Sequence, residues 1–236
     1  MRKAITTKEF TLSCIFNGLN TIIWAYFFIT TLTPKTFLFL TSISGDLNSI
    51  YLLLSLICDI SYYCFNSEKL EVLNDFLRNK ASNVLNPMSY LVTILFWGLF
   101  FMGGMDDMDT IYYIIFNVYE HIFITLFVII DIIVSQHERH YFSKLTLLFI
   151  YIYLILYGVL CGISTFVFDN PPYPFLKKIK TYVLIIYCII FIFIAFICYL
   201  FHLFIYKMKY KCMNKGIILV NESIGPNSDP SRQSTE

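Results

Sequence analysis

The stretch TFLFLTSISGDLNSIYLLLSLICDI, residues 36–60, decides the fold. It is long enough and apolar enough to cross a bilayer, which takes about 20 residues. Yet Thr41, Ser42, Ser44, Asp46, Asn48 and Asp59 lie within it or at its rim. Their spacing gives part of the answer. At about 100° per residue, with Thr41 as zero, Ser44 falls near −60°, Asn48 near −20°, Ser55 near −40° and Asp59 back at zero. Asp46 points away, near +140° at the same pitch, and Ser42 lies near +100°. The other polar groups therefore form one stripe, and a polar stripe on a span must face protein or water, because lipid cannot satisfy it. Two readings fit: hydrogen-bonded glue between helices, or a site.

The rest of the chain has the same membrane character. It has 236 residues, 58% hydrophobic, 19% aromatic and 14% charged, with a mean hydropathy of +0.68. Soluble domains carry about a quarter charged residues. The net charge of +1 offers nothing to a nucleic acid. Six apolar stretches are expected to cross, at roughly 9–31, 37–62, 87–104, 114–134, 145–168 and 181–206. Pro34, the DNPPYP run and GGMDDMD separate them. Thirteen of the 17 lysines and arginines fall on the side that holds both ends. The positive-inside rule then predicts cytoplasmic termini. The expected architecture is all-α: one polytopic bundle of about six helices over 1–212 and a disordered cytoplasmic tail over 213–236.

The seven cysteines have neither metal-ligand nor disulfide-framework spacing. His137 and His140 stand three apart in a loop without a third ligand, so solvated side chains are expected there and no metal. No phosphate loop, Gly-x-Ser-x-Gly elbow or zinc-protease motif is present, and no cofactor is implied.

The fourth span adds chemistry. NVYEHIFITLFVIID carries Asn117, Glu120, His121 and Asp131. A histidine and carboxylates inside a span are functional suspects, and the competing reading is a structural His121 bonded to its neighbours. Counted from the rims of their spans, Thr41 and His121 lie at similar depth, roughly 6–8 Å in at 1.5 Å per residue. Asp59 would lie roughly 27 Å from Thr41 on the same rise, too far to orient His121.

Several motifs resemble the androgen-induced protein family, which includes the androgen-dependent TFPI-regulating protein. They are FLT at 39–41 with Asp59 eighteen residues on, and FLRNK at 76–80 followed by Pro87 and LFW at 95–97. Asn117 and His121 with Asp131, and YPF at 173–175, continue the likeness, which covers most of 36–206. The resemblance implies a multi-pass membrane hydrolase of fatty acid esters of hydroxy fatty acids. Carried over, Thr41 is the nucleophile and His121 its base. The chain departs from the pattern at Val118 and Glu120, where the family usually has His and Met, at Ser44 (Asp or Asn) and at Asn48 (Gln).

From the chemistry, Asn117, Ser44 and Asn48 are candidates to hold the oxyanion or orient His121, and Glu120 can instead hold the imidazole. The partner expected is a lipid ester within the bilayer, with no nucleic acid and no metal. The setting expected is an integral multi-pass protein of the endoplasmic reticulum or plasma membrane. Two alternatives stay open: a non-catalytic lipid-binding, transporter or receptor-like protein, and a family member that has lost turnover.

Overall fold

The computed structural model describes residues 6–31, 39–65, 69–101, 111–134, 140–169 and 181–223. All regular structure among them is helical. The order is α1 (Thr7–Thr31), α2 (Leu40–Phe65), α3 (Glu71–Phe76), a π turn (Leu77–Ala81, π1), α4 (Ser82–Phe101), α5 (Ile111–Val118), a second π turn (Tyr119–Phe123, π2), α6 (Ile124–Val134), α7 (Lys144–Phe166) and α8 (Thr181–Ser223). YPF at 173–175 and His137 lie outside the described residues; of the tail expected over 213–236, residues 213–223 continue α8 and 224–236 lie outside the described residues.

Local chemistry fixes two of the starts. Thr6 and Glu9 exchange bonds at the head of α1: Glu9 N donates to Thr6 Oγ1 at 3.2 Å and Thr6 N to Glu9 Oε2 at 2.9 Å, a capping box. Ser143 caps α7, accepting from Thr146 N at 3.3 Å.

Among the described residues, five helical segments are long and apolar enough to cross a membrane: Thr7–Thr30, Leu40–Phe65, Ile114–Val134, Lys144–Phe166 and Ile186–Cys212. The protein is a multi-pass membrane protein. The expected third span corresponds to α4, whose first two turns carry Ser82, Asn83, Asn86, Pro87 and Ser89. Those turns face protein: Ser82, Asn86 and Ser89 are all buried.

Side-chain contacts give the directions. Trp24 meets Asp46, Ser13 meets Asp59 and Thr7 meets Tyr63, so α1 and α2 are antiparallel. Ser42 meets Glu120, Gly45 approaches Ile124 and Tyr51 meets Asp131, so α2 and the α5–π2–α6 rod are parallel. Thr93 meets His121 and Ser89 meets Thr125, so α4 runs against that rod. It also runs against α8, where Ser82 meets Tyr206 and Tyr90 meets Cys198. The core is built from Tyr51, Leu52, Leu91, Val128, Ile132 and Ile150, all essentially inaccessible. By contrast, α7 presents most of its surface outward, with Ile155, Leu156 and Val159 exposed.

The cytoplasmic-loop reading of two residues needs correction. Arg78, counted among the loop cations, is 1% exposed and donates to Asp59 at 2.6 Å. His140, expected to be solvated, is half-buried between Asn83 and the Arg78 carbonyl. Both follow from π1, which carries the chain back into the bundle before α4 begins. A buried guanidinium needs a carboxylate, and the second span supplies one.

Candidate functional site

Thr41 stands in the first turn of α2, half-buried. Its direction follows from its neighbours on the same helix. At about 100° per residue, Gly45 lies near 40° to one side of Thr41 and Asn48 near 20° to the other. Gly45 packs on π2 and α6: a Cβ there would sit 3.1 Å from Ile124 Cδ1 and 4.0 Å from Glu120 Oε1. Asn48 faces α4, donating to the Leu85 carbonyl at 3.2 Å as well as to Ser44 O at 2.8 Å. Thr41 therefore points between the fourth-span rod and α4.

His121 reaches the same place from the other helix. Ser42, one residue after Thr41, is hydrogen-bonded to Glu120, one residue before His121. On parallel right-handed helices, the residue before one contact partner and the residue after the other turn to the same side of the contact. The Ser42–Glu120 bond also sets the two at nearly one level, about 1.5 Å above and below it. On that side His121 stacks on Phe96 of α4, with ring centroids 3.5 Å apart and planes 14° from parallel. The imidazole is 2% exposed, and its Nδ1 has no hydrogen-bond partner. No hydrogen bond joins Thr41 and His121 among the described residues.

π2 is the unusual element here. A π turn carries an extra residue relative to an α-helix, loosens the backbone ladder and is common at functional sites. The His121 carbonyl takes a hydroxyl donor from Thr93 of α4 at 2.6 Å. Thr93 is in turn 2.8 Å from Thr125 Oγ1, and Thr125 donates to Ser89 O at 3.2 Å.

The remaining sequence candidates are placed as follows. Ser44 and Asn48 are buried beneath Thr41, with Ser44 Oγ and Asn48 Oδ1 unpartnered. Asn117 is half-buried at the end of α5. Glu120 is engaged by Ser42. Asp46, which pointed off the stripe, receives the Trp24 indole N–H at 2.8 Å. Asp59 and Asp131 lie in a separate polar cluster. No group of three or more potential metal ligands occurs among the described residues. Gly45 and Thr93 were not singled out in the sequence, and Ser42 and Phe96 were quoted there without a role, since small, hydroxyl and aromatic residues are ordinary in any span.

This arrangement — one hydroxyl and one imidazole turned to the same side of the Ser42–Glu120 contact inside a membrane bundle — coincides with a family match. A family model described as FAR-17a/AIG1-like protein matches residues 10–207. The chain belongs to the FAR-17a/AIG1-like family. The match takes in every helix that contributes to this site, together with the Asp59–Arg78 pair. No curated protein matches this FAR-17a/AIG1-like chain, and no solved structure does.

Proposed function

We propose that the chain is a membrane-embedded hydrolase of fatty acid esters of hydroxy fatty acids, with Thr41 as nucleophile and His121 as base. The supporting observation is that the Ser42–Glu120 contact turns both side chains to the same side of the helix pair, where Phe96 stacks on the imidazole. A threonine hydroxyl needs a neighbouring base to attack, and a neutral imidazole suits that task. Thr41 Oγ attacks the ester carbonyl and its proton passes to His121. Collapse of the tetrahedral intermediate expels the hydroxy-acid oxygen, which takes that proton. The acyl group then sits on Thr41, and water attacks it with His121 again accepting the proton. Breakdown returns that proton to Thr41 Oγ and releases the fatty acid. Hydrogen-bond donors near the site, Ser44 among them, are suited to the oxyanion. An acyl chain can lie between helices or enter from the leaflet. Both termini are read as cytoplasmic, and the setting as endoplasmic reticulum or plasma membrane.

The test is labelling of the full-length protein in membranes by a fluorophosphonate probe, alongside hydrolysis of a fatty acid ester of a hydroxy fatty acid. Thr41→Ala should abolish both. His121→Ala should reduce both by about two to four powers of ten. The absent Thr41–His121 hydrogen bond favours a second reading, a lipid-binding protein without turnover. Wild type that binds the lipid but is neither labelled nor active would establish that reading instead. Contacts of this kind often tighten only with substrate bound.

A further inference from the structure

We infer that Thr93 is a positioning residue for His121, acting through the backbone of π2; the inference rests on the hydrolase reading above. Three observations carry it. First, His121 lies inside a π turn, where the backbone ladder is looser than in the α-helices on either side. Second, the imidazole has no hydrogen bond at Nδ1 to hold it, so its aim depends on the backbone beneath it and on the Phe96 ring. Third, the Thr93 hydroxyl, on the neighbouring helix, makes its shortest contact with the carbonyl of His121 itself, at 2.6 Å.

The direction of that bond is fixed by chemistry. The His121 carbonyl can only accept, so Thr93 is the donor of that bond; the Ser89 carbonyl, 3.0 Å from the same hydroxyl, is the longer contact, and the 2.6 Å one to His121 takes the proton. Thr125 can then donate to Ser89 O or to Thr93 Oγ1, both within reach. The hydroxyls of Thr93 and Thr125 thus tie α4 to π2 and the first turn of α6. Phe96, one turn further along α4 than Thr93, supports the ring on the same side. One helix therefore holds both the carbonyl and the imidazole of the base. Thr93 touches no reacting atom in this scheme. Its role is to keep His121 within reach of Thr41, and a displacement of about 1 Å in such a pair can cost about 100-fold.

The experiment compares Thr93→Val, which keeps the shape and removes the donor, with Thr93→Ser, which keeps the donor. Both are measured in full-length protein in nanodiscs for kcat, KM, probe-labelling rate and thermal melting. Thr93→Val should lower kcat and the labelling rate about 10- to 100-fold with KM nearly unchanged. Thr93→Ser should recover most of the rate. Thr93→Val added to His121→Ala should cause no further loss, because residues acting as a unit are not additive. Four results overturn the inference: wild-type rates in Thr93→Val, a loss that Thr93→Ser does not restore, a loss confined to KM, or a rate loss fully accounted for by unfolded protein in the melt. If wild type itself is inactive and unlabelled, the hydrolase reading fails first and takes this inference with it.

Discussion

Asn83 decides the proton arrangement of His140. Its Oδ1 faces His202 Nε2 at 3.2 Å, and its Nδ2 faces both Asn79 O at 3.0 Å and His140 Nδ1 at 3.0 Å. An amide so placed donates to Nδ1, which leaves the His140 proton on Nε2, directed at Arg78 O, 3.3 Å away. A second proton would set donor against donor. Burial pushes the His140 pKa down to about 4, with Lys80 and Lys209 opposing the charge further. The folded value lies below the free value of about 6.5. His140 therefore contributes stability that is full above about pH 6.5 and is lost as pH falls toward 4. Tyr206 and His202 also face the ring. Melting in nanodiscs between pH 7 and pH 5 should fall more steeply for wild type than for His140→Phe. Equal slopes would contradict this account. None of it was legible in SQHERHYFSK, where His140 reads as a loop residue. His121 was conspicuous because lipid penalises a histidine inside a span, whereas Thr41, one of several polar residues in its span, was singled out by the family resemblance. Thr93 was neither, because a lone threonine in a span is unremarkable until its neighbour is known.

At the level of the element, the sequence marks spans well and π turns poorly. The apolar runs at 114–134 and 145–168 correspond closely to Ile114–Val134 and Lys144–Phe166. Lipid imposes a length and a composition, and both can be read directly from residue types. A π turn has no such imprint, since it is set by how one stretch of helix is pulled by its neighbours. Tyr119–Phe123 illustrates this. Its periodicity reads as continuous helix, yet Ser42 holds Glu120 from one side and Thr93 holds the His121 carbonyl from the other. Deleting Phe123, whose side chain is 45% exposed and leaves little core behind, should convert the turn to plain α-helix. With α6 held by Asp131, the residues before the deletion would rotate by about 100° and shift by about 1.5 Å. His121 would then leave the site. Labelling by the fluorophosphonate probe should drop at least about tenfold, while helix content and membrane insertion persist. Labelling at the wild-type rate would show that the bulge does not aim the base.

Across the whole molecule, the Thr41–His121 site lies at one end of the bundle and an ionic cluster at the other, separated by most of the length of α2. Arg78 donates to Asp59 at 2.6 Å, Ser13 to Asp59 at 2.7 Å, Asn17 to Asp131 at 3.1 Å and Tyr51 to Asp131 at 2.7 Å. Lys209 of α8 closes on the Ile132 carbonyl at 2.6 Å. These bonds draw α1, α2, π1, α6 and α8 together where no apolar contact alone would specify register. Desolvating such charges is costly, and their mutual attraction offsets that cost only while both members are present. Removing one should therefore hurt more than removing both. Arg78→Met leaves the buried Asp59 carboxylate without its guanidinium and should destabilise the fold by about 3–5 kcal/mol. Arg78→Met combined with Asp59→Leu should recover a large part of that loss, since two apolar side chains can fill the space without an orphaned charge. Melting of the wild type, both single variants and the double variant in nanodiscs gives the coupling directly. A double variant as unstable as Arg78→Met, or an Arg78→Met protein as stable as wild type, would mean that the pair does not hold this end of the bundle. Because the cluster is remote from Thr41, the double variant should also keep its probe labelling, which separates its role in folding from the chemistry proposed for the opposite end.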